Sequence, residues 1–237
     1  MNKTAIITGA TGSGIGRSSA LALARDGYNI VLNYHSNEEN AVMVTETVKS
    51  LGVQVISVKA DIFNQNECEL LINETLRHFN RIDVLVIGPV ANWNPEPPDK
   101  IQPEKVLMDT IQEVSPVYSF LPHILPIMEQ QKAGRIIGIA SNTRIPSPSY
   151  SYNSAKDARI AALLGIVNHC WKHRITVNVI SPGPVEHIEN MAKAIEINRD
   201  FSKSEHQISP QDIAEIVSFL CSEKGRYVTG NVIGTYF

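Results

Sequence analysis

The chain has 237 residues, 43% of them hydrophobic and 19% charged, and a formal net charge of −3 at pH 7. That length buries a full core and suits one α/β domain over residues 1–237 better than two small ones. Interspersed charges of both signs exclude a basic nucleic-acid footprint and a charged membrane tail, so the expected partner is a small molecule, with no nucleic acid and no membrane.

Met1-Asn2-Lys3 runs directly into an apolar stretch without a signal-peptide h-region, and no apolar run approaches membrane-spanning length, so a cytoplasmic protein is expected. Thr4 to Thr8 is a short strand that stops at Gly9-Ala10-Thr11-Gly12-Ser13-Gly14-Ile15-Gly16, and Ser18 to Asp26 reads as an Ala/Leu helix. Strand, glycine-rich turn and helix is the setting in which glycines bind a dinucleotide. The backbone can approach the pyrophosphate, and the helix N-terminus offers unpaired N–H groups and a positive dipole end. The plainer alternative is a tight βα turn without a ligand.

Asn29 to Asn33 is the second strand. A fold choosing NAD places a carboxylate about 20 residues beyond the glycines to hold the ribose 2′-hydroxyl. Here stand Asn33, Tyr34, His35 and Ser36. With no carboxylate to repel it, a 2′-phosphate is expected near Asn33, His35, Ser36 and Arg17, which prefers NADP(H) over NAD(H). Ser36-Asn37-Glu38-Glu39 is a capping-box pattern opening a helix to about Leu51, closed by Gly52. Gln54 to Lys59 is the third strand, and Asp61 just past it is placed to accept from an adenine amino group or to serve as an ordinary turn residue. A helix from about Asn64 to Phe79 leads to the fourth strand, Val84 to Ile87. This alternation predicts a parallel sheet covered on both faces.

Gly88 to Pro98 is proline-rich and irregular, and Trp93 within it either walls a substrate pocket or anchors the loop. A long helix from about Pro103 to Gln131 is expected to be kinked or interrupted at Pro116, Pro122 and Pro126. Cys68, Cys170 and Cys221 are widely spaced with no Cys-x-x-Cys pair, so neither a disulfide framework nor a metal site is expected.

Arg135 to Ala140 is the fifth strand, with Ser141 at its C-terminal end, where open α/β sheets bind ligands. In a helix beginning near Tyr150, the i,i+4 spacing puts Tyr152 and Lys156 on one face, roughly 5–6 Å apart at Cβ. A free phenol has a pKa of about 10, and an adjacent ammonium is expected to lower it and make Tyr152 a usable acid. Beyond Tyr152 the helix is small and apolar nearly all round, which predicts burial on every side and self-association. Thr176 to Ile180 is the sixth strand, followed by the turn Ser181-Pro182-Gly183-Pro184-Val185. Residues from Glu186 to Gln207 suit a substrate lid. Ser209-Pro210 caps a last helix to about Cys221, and Asn231 to Phe237 supplies a final strand.

Thr8-Gly9 through Gly14-Ile15-Gly16, Asp61, Ser141, Tyr152 to Lys156, Pro182-Gly183 and Tyr227-Val228-Thr229-Gly230 follow one another at intervals that resemble the short-chain dehydrogenase/reductase family. The flavour is that of 3-oxoacyl-(acyl-carrier-protein) reductases and related carbonyl reductases. The resemblance implies a Rossmann-like, doubly wound parallel sheet of about seven strands flanked by helices, and a homo-oligomer, dimer or tetramer. It implies an oxidoreductase in which Tyr152 is the general acid/base, Ser141 orients the carbonyl, and Lys156 lowers the phenol's pKa and holds the nicotinamide ribose. The implied cofactor contacts are Gly9, Thr11, Gly12, Ser13, Gly14, Ile15, Gly16, Asn33, His35, Ser36, Asp61, Ile62, Gly88, Lys156, Pro182, Gly183 and Val185.

The chain departs from the family at several places. The glycine segment is one residue longer, Ile87-Gly88-Pro89-Val90 replaces Asn-Asn-Ala-Gly, and the helix asparagine of the proton relay falls at about Glu113. The threonine after the proline-glycine turn falls at His187. These departures keep open a second reading, a dinucleotide-binding partner or sensor impaired in catalysis.

Overall fold

The computed structural model describes residues 2–88, 93–144, 148–195 and 208–235. Seven strands form one sheet: β1 (Thr4–Ile7), β2 (Asn29–Tyr34), β3 (Val55–Lys59), β4 (Val84–Ile87), β5 (Gly134–Ile139), β6 (Ile175–Ser181) and β7 (Val232–Gly234). Their order is β3-β2-β1-β4-β5-β6-β7 and every neighbouring pair is parallel. The order reverses between β1 and β4, which opens a crevice beyond their carboxyl ends, the usual ligand position in such sheets.

Side chains alternate across the sheet with a period of two. Ala5, Ile7, Val84 and Val86 join the apolar cluster beneath α1 (Ile15–Arg25), α2 (Glu38–Ser50) and the last long helix, Pro210–Cys221. Ile6, Leu85 and Ile87 point the other way, into the cluster beneath α3 (Gln65–Phe79), α4 (Pro103–Gln131) and α5 (Tyr150–Leu164). Because both faces are covered, the central strands read as unbroken apolar runs. Two short helices, α6 (Val167–Trp171) and α7 (Met191–Ala194), precede that last helix, α8.

Several local expectations are corrected. Helix α2 is capped by Asn37, whose side chain accepts from Asn40 N, and not by a Ser36 capping box. A capping box does occur at α8, between Ser209 and Asp212. Helix α4 runs unbroken for 29 residues through its three prolines. Each proline withholds only one N–H donor, whereas Val117, Phe120, Leu121, Ile124 and Met128 bury a full stripe on the sheet and its neighbours, and that packing prevails. Helix α5 is not buried all round, since Ser154, Asp157 and Ala161 form an exposed stripe. Residues 196–207 of the expected lid and 236–237 of the expected last strand lie outside the described residues. Among the described residues no helix is long and apolar enough to cross a membrane.

Helix α1 starts at Ile15, so Gly16 sits in its first turn, packed against the loop it follows. A Cβ added at Gly16 would lie 2.6 Å from the Gly9 carbonyl oxygen, whereas one added at Gly12 meets nothing within 4 Å. Gly16→Ala should therefore lower Tm by about 3–10 °C, the effect of an overpacking cost of about 1–3 kcal/mol in a chain of this size. Gly12→Ala should leave Tm within error, and equal melting of the two variants would contradict the close packing.

Candidate active site

At the carboxyl edge of the sheet, the ends of β5 and β6 are locked together. Ala140 N donates to Ile180 O at 2.8 Å, Asn142 N donates to Pro182 O at 2.8 Å, and the Ser181 hydroxyl donates to the Ser141 carbonyl. Ser141 is thus held at the strand end, and its hydroxyl is hydrogen-bonded to the Tyr152 phenol from the first turn of α5. Both line a cavity of about 710 Å³. The opposite wall is the glycine turn, through Gly9, Gly14, Ile15 and Gly16, and the floor includes Gly88. Pro182, Gly183, Val185, Glu186 and His187 close one side, and Trp93 stands at the mouth, 58% exposed.

The crevice suits a dinucleotide on two counts. The N-cap of α1 is Gly14, with no side chain capping the helix, so its first-turn N–H groups face the crevice end without an internal acceptor. A Cβ at Gly88 would lie 2.9 Å from Thr8 O, so strand ends and glycine turn approach as closely as backbone allows. His187 crosses above this turn, with Nδ1 3.2 Å from the Ser13 hydroxyl, while Ile188 N donates to Ser13 O at 3.0 Å.

Lys156 does not reach the cavity. It is fully buried, its ammonium donates to Glu113 Oε1 at 2.6 Å, and it lies over the Tyr152 ring, 4.9 Å from its centre. Burial pulls the lysine down to about 8, against the opposing pull of Glu113. The expectation that Lys156 acidifies Tyr152 is overturned: burial holds the phenol above its ordinary value, although the Ser141 hydrogen bond works in the other direction. A carboxylate already neutralises the ammonium, so little of its field is left for the phenol.

Arg159, which motif reading passes over, completes this buried group. Its Nε lies 2.7 Å from Glu113 Oε2 and donates to Glu113 O at 3.0 Å, and its Nη1 donates to Gly88 O and Ile139 O. One fully buried arginine thereby ties α4, α5 and the ends of β4 and β5. The available signal was a second cation three residues after Lys156, opening the small, apolar stretch of the helix.

The adenosine side needs further correction. Asn33 is buried, donates to Ala60 O at 2.9 Å and accepts from Gly9 N at 3.3 Å, so it braces the glycine turn against β3 and offers nothing to a 2′-phosphate. Arg17 is likewise buried, with its guanidinium donating to Ile188 O. His35 and Ser36 are exposed past β2. Asp61 accepts from Phe63 N at 3.0 Å, the ordinary turn role, and Ile62 packs against the core. Thr11, Gly12, Ser13, Asn33, His35, Ser36, Asp61, Ile62 and Lys156 do not line the cavity.

Comparison with known proteins agrees with this architecture. The family model for enoyl-(acyl carrier protein) reductase matches residues 9–235. A 3-oxoacyl-(acyl-carrier-protein) reductase of Staphylococcus epidermidis is 31% identical, over 98% of this chain and 97% of that protein. Among solved structures, the acetoin dehydrogenase YohF from Salmonella typhimurium is 26% identical with a TM-score of 0.84, covering 99% of this chain and 94% of that one. YwfH, an NADPH-dependent reductase of bacilysin biosynthesis, is 25% identical with a TM-score of 0.84, covering 100% and 97%. With the parallel seven-stranded sheet and its glycine turn, these matches place the chain in the short-chain dehydrogenase/reductase family of oxidoreductases.

Proposed function

We propose that this single-domain protein reduces a ketone, of 3-oxoacyl or related type, at the expense of NADPH, or oxidises the corresponding secondary alcohol. The observation that carries the reading is one cavity wall bearing the Ser141 and Tyr152 hydroxyls opposite an uncapped helix N-terminus. NADP(H), when bound, supplies or accepts hydride at nicotinamide C4. Gly9 and Gly88 would give it room, the start of α1 at Ile15 and Gly16 would offer backbone donors, and Pro182, Gly183 and Val185 would border it.

Ser141 donates to the substrate oxygen and Tyr152 supplies the proton as negative charge develops there. Burial keeps the Tyr152 phenol protonated at neutral pH, the state needed for reduction. Lys156 and Arg159 together outweigh Glu113 by one positive charge, which favours the alkoxide when it forms. The NADPH-dependent relative YwfH and the 3-oxoacyl reductase of S. epidermidis support the assignment of cofactor and substrate class. The apolar residues Leu107, Met108, Ile111 and Tyr118 are exposed along α4, beside the open stripe of α5, and support assembly as a dimer or tetramer.

Parallel titration with NADPH and NADH tests the reading. Both should bind, NADPH at least tenfold more tightly through the exposed His35 and Ser36. Equal or tighter NADH binding would overturn the cofactor preference, and failure of both to bind would overturn the reading itself.

A further inference from the structure

The amino edge of the sheet, opposite the crevice, carries the single group of three or more metal-ligating side chains found among the described residues. Glu129 lies in the last turns of α4, His169 in α6, and His173 two residues before β6. Their donor atoms all lie within 4.8 Å of one another. His169 Nε2 is 2.7 Å from Glu129 Oε1, and the two imidazoles stand 5.4 Å apart between centroids, tilted by 40°. Around a tetrahedral ion with bonds of about 2.0–2.2 Å, donors lie about 3.3–3.6 Å apart. Small rotations of the exposed His169 and the partly buried Glu129 and His173 side chains reach that spacing.

Both carriers are anchored. Gln131 exchanges hydrogen bonds with the Ile82 backbone at 2.7 and 3.2 Å and pins the end of α4. His173 N donates to Cys170 O at 2.9 Å, and Cys170 is fully buried, so the His169–His173 segment sits on a fixed base. The His169 side chain is 57% exposed and that of Glu129 28%, so an ion enters from solvent and keeps water in its remaining positions.

We propose that Glu129, His169 and His173 bind one divalent transition-metal ion, of the zinc, nickel or copper class. Two imidazoles and one carboxylate suit these ions, whereas calcium and magnesium take oxygen ligands. The ion takes the place of the contact between His169 and Glu129 and staples α4 to the segment entering β6. Because the three donors meet only in the folded chain, binding stabilises the fold.

The test uses the full-length, tag-free chain, with zinc chloride titrated calorimetrically and thermal melts recorded alongside. One zinc per chain is expected, with Tm raised by about 5–10 °C at free zinc a hundredfold above Kd. His169→Ala and His173→Gln should each weaken binding at least tenfold, with unchanged Tm in the absence of zinc. His78→Ala should bind as wild type, and magnesium should shift nothing. No binding by the wild-type chain, or a Kd in His169→Ala equal to wild type, overturns the assignment.

Discussion

Replacing Tyr152 by phenylalanine should lower kcat for ketone reduction by about 10²- to 10⁴-fold, the contribution general acid catalysis ordinarily makes. The Kd for NADPH should stay within about twofold, because the ring and its packing are retained while only the hydroxyl is lost. The expectation follows from geometry: Tyr152 and Ser141 share a hydrogen bond and one cavity wall, and burial keeps the phenol protonated. Ser141→Ala should cost less, since Tyr152 remains to supply the proton. Steady-state kinetics with NADPH and a 3-oxoacyl thioester, beside fluorescence titration of the cofactor, separates the two effects. Undiminished turnover in Tyr152→Phe would remove the phenol from the chemistry.

The parts of the fold that were legible in the sequence are those where local rules and packing agree. Glycine turn, apolar strand runs and the Ser209-Pro210 cap all recur in the structure because each depends on residues a few positions apart. The same holds for Ser141 and Tyr152, which a strand end and a helix start bring together. What could not be read depends on partners far along the chain. Glu113 and Lys156 are 43 residues apart and meet through the packing of α4 on α5, so spacing alone does not reveal the pair, and only the family resemblance, which sets Glu113 at the relay position, points to it. Asn33 stands where a ribose-binding carboxylate is expected and for that reason is a candidate for the 2′-phosphate, yet its amide turns inward to satisfy Ala60 O and Gly9 N. The prolines of α4 show the converse, a local rule overridden by a buried stripe. Glu129 and His169 likewise stand 40 residues apart and are joined only by the fold.

Glu113→Gln should alter stability and pH dependence together. The carboxylate is the sole anion among the three fully buried charged side chains of this group, and it pairs with Lys156 at 2.6 Å and with Arg159 at 2.7 Å. Removing it leaves two cations without their counter-charge, a loss of about 3–5 kcal/mol for a broken buried pair. The sign with pH follows from Lys156, held at about 8 against a reference of 10.5. Between those values the unfolded chain binds more protons than the folded one, so this group's contribution to stability rises with pH there. Without Glu113 the lysine falls further, and charging it in the folded state costs more. The stability gap between wild type and variant should therefore be wider at pH 7 than at pH 9, where Lys156 is largely neutral in both and only Arg159 keeps its charge. In kinetics, a reaction that needs Lys156 as a cation should lose kcat/KM above about pH 8 in wild type, and that alkaline limb should move to lower pH in Glu113→Gln. Denaturant unfolding at the two pH values and a pH–rate profile read the two effects independently. An unmoved limb beside a pH-independent stability gap would show that Glu113 does not set the protonation of Lys156, and would overturn the coupling.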